Sequence, residues 1–229
     1  MSAAPAANSI GQPFSLGLPE QGAIRRGLMR VFRPVLERLF GLRRMNELYR
    51  RTILHQPSTT FYDNCLAEHG VRIDVSEDDL ARVPKEGPLI IVSNHPFGGI
   101  DGLILASILH RVRPDVRILA NYMLHRIPDL REMFFFVDPF GGPEAQQRNL
   151  AGTKSSIRWV KQGGALAIFP AGEVSHLTMK RREVTDPHWL PTAGRLAQQT
   201  GASVLPLFFH GRNSLMFQLL GLIHPRLRT

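Results

Sequence analysis

His95 and Asp101 stand at either end of a turn within a short stretch, Ser93 to Gly102, that reads SNHPFGGIDG. A carboxylate on one imidazole nitrogen fixes the tautomer and makes the other nitrogen a better base, so this pair can take a proton from a hydroxyl or a water. Five residues separate the two, and the turn between them must fold back for them to meet. Pro96 restricts entry to that turn, and Gly98 and Gly99 are both expected to use the positive φ that costs glycine nothing. The same residues admit a second reading, in which Asp101 caps a helix and His95 only packs. A metal pair would need a third ligand, and none follows at convincing spacing. No G-x-S-x-G nucleophile elbow occurs, so a base here would serve an external nucleophile: water, or an acceptor hydroxyl or amine.

The elements that must position this turn can be read from apolar runs. PLIIVS (Pro88–Ser93), VRILAN (Val116–Asn121), MFFFVD (Met133–Asp138), GALAIFP (Gly164–Pro170) and ASVLPLFF (Ala202–Phe209) have strand length and content. Helical patterns over Gly102–Arg111, Glu144–Gln162 and Thr192–Thr200 lie between them. Strands alternating with helices predict an α/β fold with a mostly parallel central sheet flanked by helices. Ligands in such sheets collect at the carboxyl ends of strands, which directs attention to SNHPFGGID and FPAGEVSH.

Four blocks in order, NHPFGGID (Asn94–Asp101), FFFVDPFGG (Phe134–Gly142), IFPAGEVS (Ile168–Ser175) and VLPLFFHG (Val204–Gly211), resemble the motifs of the glycerolipid and lysophospholipid acyltransferases. The variant is most similar to the bacterial branch labelled putative hemolysins, some of which acylate lyso-ornithine lipids. The resemblance implies transfer of a fatty acyl group from an acyl thioester, acyl-CoA or acyl carrier protein, to a lysolipid acceptor. It implies His95 as general base, Asp101 as its partner, and no metal or bound cofactor. Backbone N–H groups of the Gly98–Gly102 turn are candidates for holding the oxyanion, and a thioesterase or lipid hydrolase working on water is the alternative. By the same resemblance the third block, with Phe169, Pro170, Gly172, Glu173 and Ser175, contacts the acceptor. Two departures stand out: the first block has one residue more than N-H-x-x-x-x-D, and the third lacks the usual F-P-E-G-T-R-S charges, carrying Ala171 and Val174 in place of the glutamate and arginine.

The chain has 229 residues and a formal charge of +9, and of its 28 basic residues only Lys85, Lys154, Lys161 and Lys180 are lysines, leaving 24 arginines. Guanidinium groups suit polyanionic partners: an anionic membrane surface, an acidic carrier protein or a nucleic acid, the last without any recognisable motif and so not expected. The single cysteine, Cys65, can form no disulfide within the chain. Residues 1–22 lack the pattern of a secretory signal and read as a loose, flexible leader. Over residues 23–56, Ile24, Leu28, Val31, Phe32, Val35 and Leu39 fall at helical spacing among arginines, with Pro34 predicting a kink or a split and Gly41 a break. Two readings stand for these basic helices: packing on the core, or a monotopic anchor on the membrane surface. Residues 57–229 read as the catalytic domain, ending soon after the fourth block as though C-terminally incomplete. The expected location is peripheral, on the cytoplasmic face of the inner membrane.

Overall fold

The computed structural model describes residues 13–15, 23–39, 41–54, 60–138 and 143–223. Most of the leader, Pro139, Phe140 and the stretch from His224 onward lie outside these. The chain divides into two compact units, Met1–Arg72 and Ile73–Thr229.

The first unit holds α1 (Ala23–Leu39), α2 (Leu42–Leu54) and α3 (Phe61–Glu68). Pro34 does not split α1, which runs through it as one helix, whereas Gly41 at φ 70° does separate α1 from α2. Tyr49 of α2 meets the edge of the Phe61 ring of α3 at 6.0 Å and ties α3 to the helices before it. Phe14, inside the segment expected to be a loose leader, exchanges backbone hydrogen bonds of 3.0 and 2.7 Å with the Asn46 amide. On α1 the side chains of Leu28, Val31, Phe32 and Val35, at i, i+3, i+4 and i+7, are all exposed.

In the second unit, α4 (Glu77–Ala81) is capped by Ser76, whose hydroxyl accepts the Asp79 N–H at 3.1 Å. All five sequence-predicted strands form: β1 (Leu89–Ser93), β2 (Val116–Asn121), β3 (Phe134–Val137), β4 (Ala165–Ile168) and β7 (Ser203–Leu207). They make one parallel sheet in the order β3-β2-β4-β1-β7. The inner strands β1 and β4 are buried along their whole length, as continuous apolar runs require. Pro206 is accommodated because β7 is an edge strand and need not donate outward. Helices α5 (Gly99–Leu109), α6 (Pro143–Lys161) and α7 (Thr192–Thr200) connect the strands. Ile90, Val92, Leu166 and Ile168 pack with Val160 of α6 and with Ala193 and Leu196 of α7 on one face. On the other face, Phe134 lies 3.8 Å from where a Gly102 β-carbon of α5 would stand.

The short helices α3 and α4 went unforeseen, as did the antiparallel hairpin β5 (His176–Thr178) and β6 (Glu183–Thr185), and α8 (Leu215–Ile223). At the amino-terminal edge of the sheet, Arg113 is fully buried. It donates to the carbonyls of Pro84, Gly87 and Gly163 and pairs with Asp115 at 2.8 Å.

Candidate active site

Strand β1 runs into the first block and its neighbour β4 into the third, with Val92 beside Ile168 at the last pair. From β1 the chain crosses over β4 to β2, and from β4 it crosses over β1 to β7. Connections that leave two adjacent strands in opposite directions open a crevice at their carboxyl ends. His95 and Asp101 stand there.

His95 Nδ1 is 2.9 Å from Asp101 Oδ2, with 17% of the histidine side chain exposed and none of the aspartate. The same oxygen accepts the backbone N–H groups of Phe97 at 2.9 Å and Gly98 at 3.1 Å. An acceptor-only carboxylate on Nδ1 places the neutral ring's proton there, and leaves Nε2 with its lone pair and no partner among the described residues. The Asp101 carboxylate thus makes two kinds of contact: in the first turn of α5 it accepts the Gly98 N–H, and it also holds the imidazole. The buried charge is offset by those three donors and by the amino-terminal end of α5. Asp101 Oδ1, also buried, finds no hydrogen-bond partner among the described residues.

The extra residue of the first block is absorbed by Gly98 alone. Its φ of 75° and ψ of −135° are closed to ordinary side chains, and Val174 Cγ2 lies 3.3 Å from where its β-carbon would be. Gly99 departs from expectation. It is the first residue of α5, has no positive φ, and a β-carbon on it would meet nothing within 4 Å. The Gly98 N–H is spent on Asp101, so it is not free to hold an oxyanion.

Of the third-block residues expected to meet the acceptor, two also buttress His95. Phe169 stacks on the imidazole with ring centres 4.0 Å apart and 22° between planes. Ser175 is buried and donates its backbone N–H to the His95 carbonyl at 2.8 Å. Pro170 accepts the Leu190 N–H at 2.9 Å. Gly172 (φ 72°) is exposed and Glu173 half-buried, 3.9 Å from His176. Ala171 and Val174 are buried, so the positions where the family carries charge have become packing.

The fourth block closes the other side. The Asn94 amide exchanges hydrogen bonds of 2.9 and 2.7 Å with the Phe209 backbone, continuing the β1–β7 pairing beyond its last strand pair. Gly211 lies so close to the Phe97 ring that a β-carbon would stand 2.7 Å from it. His176, buried, is held to the Val174 carbonyl at 3.1 Å, while His125 stacks on Tyr122 and His210 meets the edge of Phe208.

Sequence reasoning missed Asp186. Its Oδ1 accepts the His95 N–H at 3.2 Å and the Ser175 hydroxyl in a short hydrogen bond, while Oδ2 accepts the Trp189 indole N–H at 2.8 Å. The one available signal was its place just after a hairpin that was itself not foreseen. No cluster of three potential metal ligands occurs among the described residues.

This geometry can be set beside known proteins. The chain is 30% identical over 162 residues to a lyso-glycine lipid O-acyltransferase of Phocaeicola vulgatus, covering 69% of this chain and 53% of the relative. It is 28% identical over 160 residues to a protein of the same name from Bacteroides thetaiotaomicron, covering 69% and 55%. The chain thus spans about half the length of the curated relatives it matches. A family model described as acyltransferase matches residues 28–225, which takes in all four blocks and the His95–Asp101 pair, and the chain belongs to that acyltransferase family.

Proposed function

We propose that this chain transfers a fatty acyl group from an acyl thioester to a lysolipid acceptor, with His95 as general base. The observation that carries the reading is the His95–Asp101 bond, which leaves Nε2 unpaired among the described residues in a crevice at the strand ends. Nε2 takes the proton of the acceptor hydroxyl as its oxygen attacks the thioester carbonyl. The tetrahedral intermediate collapses, the carbon–sulfur bond breaks, and the leaving thiolate takes the proton back from the imidazolium. The products are an ester and a free thiol. With Gly98 engaged, the oxyanion falls to the first-turn amides of α5, Gly99 and Ile100, which have no acceptor within the helix.

A lysolipid acceptor is supported by the names of the relatives. Val174, buried where the family carries arginine, supports a headgroup other than glycerol phosphate. The donor, acyl-CoA or acyl carrier protein, is part of the proposal, as is a peripheral place on the cytoplasmic face of the inner membrane. An anionic membrane partner is supported by the exposed apolar face of α1. It is also supported by the second unit, where Tyr122, Met123, Trp189, Leu190 and Phe208 are exposed beyond the carboxyl ends of strands, the end that carries the dyad. No described helix is long and apolar enough to cross a membrane.

Incubating the purified chain with palmitoyl-CoA or palmitoyl carrier protein, with and without lyso-glycine lipid, tests the reading. Thiol release that depends on the lysolipid, with a diacyl product, is expected. Equal thiol release without lysolipid, and no diacyl product, would replace transfer by hydrolysis.

A further inference from the structure

We propose that Asp186 is a positioning residue for His95, holding the backbone from which the imidazole projects as Asp101 holds the ring. The inference rests on the dyad reading above. β1 ends at Ser93, so the His95 amide has left the sheet and needs another acceptor. Asp186, 91 residues away in the chain, supplies it through Oδ1.

The arrangement is a grip. His176 pairs with Thr185 at the base of the β5–β6 hairpin, and Ser175 and Asp186 are the next residues on either side. Ser175 donates its N–H to the His95 carbonyl, Asp186 accepts the His95 N–H, and the Ser175 hydroxyl joins the two jaws. Trp189 fixes the carboxylate through Oδ2. With Nδ1 fixed by Asp101 and the ring face by Phe169, the remaining freedom of Nε2 is that of the backbone, and the hairpin base removes it. A base displaced by about 1 Å can lose on the order of a hundredfold in rate.

The two oxygens have separable duties, which gives the test its rescue. In Asp186→Asn the amide oxygen can still serve His95 and Ser175, but the amide nitrogen then faces the Trp189 N–H, donor against donor. Removing the indole donor with Trp189→Phe should relieve that conflict.

The full chain and its variants are assayed with palmitoyl-CoA and lyso-glycine lipid, and hydrogen exchange is measured at the His95 amide. Asp186→Ala is expected to lower kcat by about tenfold to a hundredfold, with KM for both substrates within about twofold and His95 amide exchange accelerated. Asp186→Asn should fall between, and Asp186→Asn with Trp189→Phe should recover toward wild type. Wild-type kcat in Asp186→Ala, a loss confined to KM, unchanged His95 exchange, or no recovery in the double variant would each overturn the inference. If Asp186→Ala does not fold, the Asn pair and the exchange rate carry the test. His95→Ala separates the two levels: activity surviving that change removes the dyad reading itself, whereas an inactive His95→Ala beside a fully active Asp186→Ala removes only the role of Asp186.

Discussion

Val174 packs against Gly98, its Cγ2 3.3 Å from the place where a β-carbon on the glycine would stand. The third block thus presses on the turn of the first. Crowding and a φ of 75° act together at this position, and a side chain in such a conformation costs about 1–3 kcal/mol unless the backbone moves.

The first prediction follows from the difference between two neighbouring glycines. Gly98→Ala should either destabilise the chain by about that amount or shift the turn, separating His95 from Asp101 and lowering kcat. Gly99→Ala should be nearly silent in both thermal unfolding and kcat, because Gly99 starts a helix with open space beside it. Equal damage from the two would show that the backbone of Gly98 is not the constraint.

The second prediction concerns the dyad. His95→Ala should lower kcat by about 10² to 10⁴ with the fold intact, since a half-buried ring is removed from the edge of a crevice and not from the core. Asp101→Asn can still accept the Phe97 and Gly98 amides with its oxygen, so α5 should stay capped while the charge beside Nδ1 is lost. Circular dichroism with single-turnover rates measures both, and a folded His95→Ala protein with near-normal turnover would end the mechanism.

Much of this was legible in the sequence because the physics was local. Leu89 to Val92 and Ala165 to Ile168 are apolar without interruption, which suits an inner parallel strand buried on both faces, and the glycines of the first block announced a forced turn. What could not be read depends on distance along the chain. The β5 and β6 strands are too short for any period, and their turn, Met179-Lys180-Arg181-Arg182, resembles an ordinary charged loop. Asp186 therefore gave no sign of reaching His95. Nor could sequence tell that Asp101 serves both a helix and an imidazole, since one residue type at one spacing satisfies either demand. Gly99 was misread because α5 begins three residues before its apolar pattern does, at the glycine itself.

The third prediction tests a buried arginine. Arg113 is buried and serves three carbonyls and Asp115 at the amino-terminal ends of the inner strands, opposite the end that carries the dyad. Arg113→Ala leaves those carbonyls without their donor, and unfolding by urea should show a loss of about 3 kcal/mol or more. Arg113→Lys should recover only part, because an ammonium cannot reproduce the planar fork. A loss under about 1 kcal/mol would mean that water reaches the carbonyls in place of the guanidinium.

The last prediction concerns α1, whose Leu28, Val31, Phe32 and Val35 form one exposed apolar stripe beside the exposed Arg30 and Arg38. A stripe at this spacing normally faces a core, and here it faces outward. If an anionic bilayer receives it, each arginine near the surface adds roughly 1 kcal/mol of attraction and the apolar side chains enter the headgroup boundary. Flotation with vesicles containing anionic lipid should then recover the wild-type protein, less of it at high salt. Arg30→Glu with Arg38→Glu should weaken binding mainly at low salt, where electrostatic attraction is strongest. Phe32→Asp with Val35→Asp should weaken it at every salt concentration, since the apolar contribution is not screened. Both pairs should keep activity on detergent-dispersed lysolipid, because the dyad lies in the other unit. Equal flotation of all three proteins at both salt concentrations would remove α1 from the membrane surface and leave any binding to the exposed aromatic and aliphatic residues beyond the strand ends.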